Sequence, residues 1–324
     1  MRRRFWIATV LALCCGRGAV AQEFPARTVT MIVPSAPGGT LDALGRLMAQ
    51  GMAENLGQNV VVENVSGAGS IVGMQRLVRS APDGYTIGFG NLGSLAANVA
   101  ITKELGFDPR KDLTPIGIVA NVPMVIAASN KSGARDLGTL LARIRERGDG
   151  VTFGTPGTGT TGHLAPAYLL SLTRLQATLV PYRGAGPAMS DLASGTVDAV
   201  IDQTVTMIPA HRGGTARALA VTGSRRLAQL PDVPTFAEAG VPEFDMVIWN
   251  AIVGPRDIPA PAARRLGEAV EAALASPAAA SRFAELATTA PAPEERGPEV
   301  LRRRIAADVE RWIQVVKDAG ITPQ

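Results

Sequence analysis

The residues able to do polar chemistry gather in four short glycine-rich segments: Ser35-Ala36-Pro37-Gly38-Gly39-Thr40-Leu41-Asp42, Gly90-Asn91-Leu92-Gly93-Ser94, Thr155-Pro156-Gly157-Thr158-Gly159-Thr160-Thr161-Gly162-His163 and Gly184-Ala185-Gly186-Pro187. Each leads from a strand-like run into a helical one. Glycine lets backbone approach a ligand, the free N–H groups and dipole of a following helix favour an anion, and Ser and Thr add short hydroxyl donors. In a parallel α/β sheet such loops lie at the carboxyl ends of the strands, so segments far apart in sequence converge on one crevice. A carboxylate or phosphate is the natural guest. Taken singly, each loop reads as an ordinary turn with a helix cap, since Thr40, Ser94 and Thr160 are also good capping residues. Three similar loops from both halves of the chain point to a shared site.

The candidate ligand-binding set is therefore Pro37, Gly38, Gly39, Thr40 and Asp42, then Asn91 and Ser94, then Thr155, Gly159, Thr160, Thr161 and His163. Asp202, at the end of an apolar strand, joins them as a holder of waters, a hydroxyl or an ammonium, or else caps the helix from Val205 onward. His163 either donates to an anion or orients its loop. Asp42 in the first turn of a helix complements the dipole or bonds backbone. Arg183 either pairs bidentately with a carboxylate or is a solvated turn residue.

Other chemistries lack their parts. Gly157-Thr158-Gly159-Thr160-Thr161-Gly162 matches GxGxxG, but Ala177 to Tyr182 offers no acid for a ribose, and there is no GxxxxGK[ST]. No cofactor is expected. His163 and His211 are the only histidines, HExxH and GxSxG are absent, and Cys14 and Cys15 both sit in the leader described below. Neither a metal site nor a catalytic residue is expected, and the mature chain has no disulfide.

Three arginines, an apolar run from Phe5 to Cys15 and Ala19-Val20-Ala21 ahead of Gln22 form an export signal cleaved after Ala21. The run is too short to span a bilayer, which takes roughly 20 residues. Lys plus Arg is 32 against 28 acidic residues, but Arg2, Arg3, Arg4 and Arg17 leave with the leader, so the mature balance is zero. Together with 4% aromatics this argues against a nucleic-acid or anionic-membrane partner.

The elements that must position these loops alternate strand and helix, an α/β pattern with largely parallel strands. Val29–Val33, Val60–Glu63 and Tyr85–Phe89 read as strands; Leu41, Leu44, Met48, Met52 and Leu56 form one helical stripe that Gly57 ends. A second unit follows: strand Met124–Ala128, helix Asp136–Arg147, strand Val151–Phe153, helix His163–Leu172, and strands Thr178–Val180, Asp198–Ile201 and Ala216–Thr222. Prolines around 231–242 break the pattern, helices resume near Ala260, Ala287–Pro293 reads as a loop, and a last helix carries Leu301, Ile305, Val309, Trp312 and Val316 on one face with Arg302 to Arg304 solvated. The 324 residues suit two domains, 22–120 with 223–324 and 121–222, crossing near Ala120 and Thr222.

Read in order, these residues resemble the substrate-binding proteins of the tripartite tricarboxylate transporter system, the Bug family. The likeness runs through Phe24-Pro25, Pro37-Gly38-Gly39 with Asp42, Val60-Val61-Val62-Glu63-Asn64, Gly67-Ala68-Gly69, Ala81-Pro82-Asp83-Gly84-Tyr85-Thr86, His163-Leu164-Ala165, Val180-Pro181-Tyr182-Arg183-Gly184, Leu230-Pro231-Asp232-Val233-Pro234 and Trp249. It implies a two-lobed periplasmic binding protein, type II or Venus-flytrap, with two crossing strands. It implies no enzyme activity, a small organic acid as ligand (a di- or tricarboxylate, an acidic amino acid or an aromatic carboxylate), and inner-membrane permease subunits as partners. In the family the Pro-Gly-Gly loop and its helix hold one carboxylate through backbone groups and bridging waters, which maps to Pro37, Gly38, Gly39 and Asp42. Ser35, Val65-Ser66 and Gln203-Thr204 depart from the family's usual residues. Two other uses stay open: presenting ligand to a sensor, or processing a carboxylate with His163 and Asp202.

Overall fold

Residues 23–318 and 323 are described by a computed structural model; the leader and its cleavage point lie outside them. Five strands and four helices open the described chain as β1 (Val29–Val33), α1 (Thr40–Leu56), β2 (Val60–Asn64), α2 (Ile71–Val78), β3 (Thr86–Asn91), α3 (Asn98–Ile101), β4 (Leu113–Ala128) and, after α4 (Leu137–Arg147), β5 (Thr152–Thr155). Then come α5 (Thr161–Thr173), β6 (Thr178–Pro181), α6 (Ala185–Ser194), β7 (Ala199–Gln203), α7 (Thr204–Arg212), β8 (Arg217–Val221), β9 (Val247–Pro255), α8 (Ala260–Leu274), α9 (Pro277–Glu285) and α10 (Pro298–Asp318).

The strands pair in the order β2-β1-β3-β9-β4-β7-β5-β6, with β8 also on β4. β1 runs parallel to β2 and β3, and β5 runs parallel to β6 and β7, so each half of the sheet sends its strand ends and following loops to one edge. β4 belongs to both halves: Leu113 to Pro123 pairs antiparallel with β9, and Met124 to Ala128 pairs with β7. Only its second part was expected as a strand. Pro115, Gly117 and register shifts after Pro115 and Ile118 interrupt the two-residue alternation that marks a strand in sequence. β9 escaped for a different reason: from Ile248 to Pro255 every residue is buried, which erases alternation.

The chain returns from β8 to β9 through an irregular stretch packed by Leu230, Val233, Phe236 and Phe244. Thr222 fastens the two passages. Its hydroxyl accepts the Met124 N–H at 2.9 Å and donates to the Met246 carbonyl at 2.8 Å.

On one face of the first half, α1 and α8 bury Leu44, Met48, Met52, Leu266 and Ala273 against β1 and β3. α10 covers the other face with Leu301, Ile305, Val309, Trp312 and Val316, while Arg302, Arg303 and Arg304 stay exposed as the helical spacing predicts. Buried Trp249 of β9 donates through Nε1 to Asp308 of α10 at 2.6 Å, and Arg304 pairs with the same carboxylate at 2.8 Å. The C-terminal helix is thus tied to the strand beside the crossing.

Replacing Thr222 by Val keeps the shape and leaves two buried backbone groups unpaired. Urea unfolding should show a loss of about 1–3 kcal/mol; unchanged stability would mean the clamp carries nothing.

Candidate functional site

A cavity of about 450 Å³ lies where the loops from the two halves of the sheet meet, within the range of small-molecule sites. Its wall is made largely of helix beginnings: Gly39, Thr40 and Leu41 at α1, Thr160 and Thr161 at α5, Gly184 and Ala185 at α6, and Gln203 at α7. None of these four helices has a side-chain cap on its amino end. Asp136 and Ser276 do cap α4 and α9, whose amino ends lie elsewhere. Unsatisfied N–H groups and the positive ends of four helix dipoles therefore surround one space. Thr40 starts α1 rather than capping it, and Thr160 turns its hydroxyl to the Gly157 carbonyl at 2.7 Å.

Side chains add directional donors. Thr40 is 3% exposed and its hydroxyl has no partner in the protein. Asn91 spends its carbonyl oxygen on the N–H groups of Gly93 and Ser94, at 3.0 and 3.3 Å, which leaves its amide NH2 for the cavity it lines. Arg183 is the one cation on the wall and is exposed. Gln203 is steadied by Asn250 of β9, whose amide donates to it at 3.1 Å.

Of the residues expected from sequence, Gly39, Thr40, Asn91, Gly159, Thr160, Thr161 and Asp202 come together on the wall. Pro37, Gly38, Asp42, Ser94, Thr155 and His163 are not on it. Most of these six brace the loops from behind. Asp42 accepts the Gly38 N–H at 3.0 Å and Asn64 at 3.0 Å, and pairs with Arg46 at 2.9 Å. Burial would raise its carboxyl, but the bonds from Arg46, Gly38 and Asn64 outweigh that and hold it below the usual range. Gly38 has φ 85°, and a Cβ there meets nothing within 4 Å, so its glycine serves the turn rather than a close contact. The Ser94 hydroxyl bonds Asn91 N–H at 3.0 Å, and Thr155 reaches the Val180 carbonyl at 3.4 Å. His163 accepts the Gly159 N–H at Nδ1 (3.5 Å), and burial lowers its pKa, which favours the neutral ring.

Sequence reasoning did not select the segment Gly67 to Ile71, all of which lines the cavity. Ala68, Gly69 and Ser70 have φ of 43°, 60° and 81°, a left-handed run that is strained for the two non-glycines. Its sequence signal was Gly67-Ala68-Gly69, which entered only as part of the family likeness. A Cβ on Gly69 would overlap the Thr158 carbonyl oxygen across the cleft, and one on Gly39 would lie 3.3 Å from the Ala185 Cβ. The two rims thus touch backbone to backbone at Gly69 and backbone to methyl at Gly39.

Asp202 is the only carboxyl on the wall. It is 3% exposed, and burial pushes its pKa up to about 6 although Thr206 and the Gln203 backbone favour the ionised form. A carboxyl raised in the folded state gives stability that is complete below its unfolded pKa near 3.8 and is lost as pH rises through about 6.

An α/β sheet in two halves, a shared crossing strand and a cavity between opposed strand-end loops define the class of two-lobed periplasmic binding proteins. The family model described as "Tripartite tricarboxylate transporter family receptor" matches residues 44–321. MatC from Rhodopseudomonas palustris, solved with bound malate, is 36% identical with a TM-score of 0.88, covering 90% of this chain and 100% of its own. Rpa4515 of the same organism, solved with adipate, is 33% identical with a TM-score of 0.88, covering 93% and 100%. BugT of Bordetella pertussis is 34% identical over 301 residues, 93% of this chain and 91% of that protein. The chain belongs to the tripartite tricarboxylate transporter receptor family. A further solved relative, BugD, is described as a periplasmic binding protein; it is 32% identical with a TM-score of 0.89, covering 93% of this chain and 100% of its own. No described helix is long and apolar enough to cross a membrane.

Two outcomes follow from this geometry. Asp202→Asn should stabilise the ligand-free protein by up to about 3 kcal/mol at pH 8, with the gain vanishing towards pH 4; a gain independent of pH in thermal unfolding would refute the burial argument. Gly69→Ala should cost the free protein only about 1–2 kcal/mol for its left-handed residue, yet weaken ligand binding at least tenfold because the rims no longer meet. Calorimetric titration with unchanged affinity would rule that contact out.

Proposed function

We propose that this protein captures a small organic acid anion in the cleft and delivers it to the inner-membrane permease subunits of a tripartite tricarboxylate-type transporter. The observation that carries the reading is the set of four uncapped helix amino ends around one cavity, joined by the free donors of Thr40 and Asn91. A carboxylate accepts several N–H and O–H bonds at once, and the helix dipoles favour its charge. That MatC was solved with malate and Rpa4515 with adipate supports the same ligand class.

In this reading residues 22–120 and 223–324 form one lobe and 121–222 the other. Gly39, Thr40 and Asn91 hold the ligand from the first lobe; Gly159, Thr160, Thr161 and Asp202 hold it from the second. Pro37, Gly38, Asp42, Ser94, Thr155 and His163 set the loops that present them. Closure is favoured to the extent that ligand contacts both rims at once. The chain is exported to the periplasm by cleavage after Ala21, and its part is capture and release with no chemical step.

The test is a thermal-shift panel of dicarboxylates, tricarboxylates, acidic amino acids and aromatic acids on protein freed of carried-over ligand by unfolding and refolding. At 100 times its Kd a true ligand adds about 2.7 kcal/mol, a rise of a few degrees. No shift with any acid overturns the reading.

A further inference from the structure

A cavity walled by helix amino ends suits an anion without help from a carboxylate, yet Asp202 stands in that wall at the carboxyl end of β7. Beside the Gln203 backbone N–H, its carboxyl has one side-chain donor: Oδ2 accepts the Thr206 hydroxyl at 2.8 Å, but that hydroxyl has one proton and a second acceptor, the Gln203 carbonyl at 3.0 Å. No Lys, Arg or His lies within ion-pair distance of it among the described residues. Arg183 shares the cavity but is exposed, and His163 lies outside the wall with its Nδ1 given to Gly159. A carboxylate has room for about four hydrogen bonds, and a buried one with so few donors is costly. A bound acid without a donor of its own would add like-charge repulsion to that deficit.

We propose that Asp202 sets the specificity of the site: the cavity takes an organic acid that carries a hydrogen-bond donor, a hydroxyl or an ammonium, on its carbon skeleton, in preference to the same acid without one. The inference rests on the carboxylate reading above and says which members of that class are accepted. The acid's carboxylates meet the helix amino ends, while its donor satisfies the carboxyl of Asp202. Thr206 keeps the Gln203 carbonyl as an acceptor, so its hydroxyl stays paired when the Asp202 side chain is removed.

The experiment is calorimetric titration of the refolded protein with matched series: succinate, malate and aspartate; glutarate, 2-hydroxyglutarate and glutamate; hydrocinnamate, phenyllactate and phenylalanine. In at least one series the donor-bearing members should bind at least tenfold more tightly than the unsubstituted acid, and the better of hydroxyl and ammonium identifies the donor. Asp202→Asn should reduce an ammonium member's affinity at least tenfold and a hydroxyl member's less. Asp202→Ala should erase the preference while leaving the unsubstituted acid bound as well as before or better, a gain that a damaged fold would not produce. Equal binding within every series, or a preference that survives both variants, overturns this inference alone. Failure of every acid overturns the carboxylate reading and this inference with it.

Discussion

A helix leaves its first backbone N–H groups without intrahelical partners, and most of what is distinctive in this protein follows from where it leaves them. Four helices begin at one cavity with no side chain over their amino ends, while α4 and α9, which begin elsewhere, are capped by Asp136 and Ser276. The parallel strands dictate that placement. β1 leads into α1, β5 into α5, β6 into α6 and β7 into α7, so helix starts gather wherever the carboxyl ends of these strands face each other.

Bringing the two sets of strand ends together is the task of β4 and of the irregular return to β9. β4 changes partners between Pro123 and Met124, and Thr222 ties it to the returning chain at the same level. Trp249, Asp308 and Arg304 anchor that level to α10. The contacts at the rims are made by backbone and small residues: Gly69 on Thr158 and Gly39 on Ala185. Such contacts demand little side-chain ordering and leave the cavity, rather than the rim, to recognise the ligand.

Two carboxylates near the cleft show how environment divides labour between like groups. Asp42 sits among three hydrogen-bonding partners, is held in its charged form and organises the turn at Gly38. Asp202 is more deeply buried, has one side-chain donor, and faces the cavity with its pKa pushed up. Burial raises both, more so for Asp202, and at Asp42 the Arg46 cation with two further donors reverses it. The cavity wall therefore presents helix amino ends on most sides, the exposed Arg183, and one carboxyl with few donors of its own.

The sequence by itself determined the α/β alternation, the stripe of α1 from Leu41 to Leu56, the apolar face of α10 and the glycine-rich loops, because each is written in local periodicity or turn chemistry. It did not reveal β9, whose burial on both faces erases alternation, nor the first part of β4, whose prolines and register shifts disguise it. The site was legible as loops rather than as side chains. Gly39, Thr40 and Thr161 face the cavity, whereas Asp42, Ser94 and His163, in the same loops, brace them from behind. That division depends on dihedral angles within each loop and on what packs behind it. The contribution of Gly67 to Ile71 likewise depends on a left-handed run pressed against a segment ninety residues away, roughly a lobe's length in sequence. Long-range contact, which no local pattern encodes, decided which residues the ligand would meet.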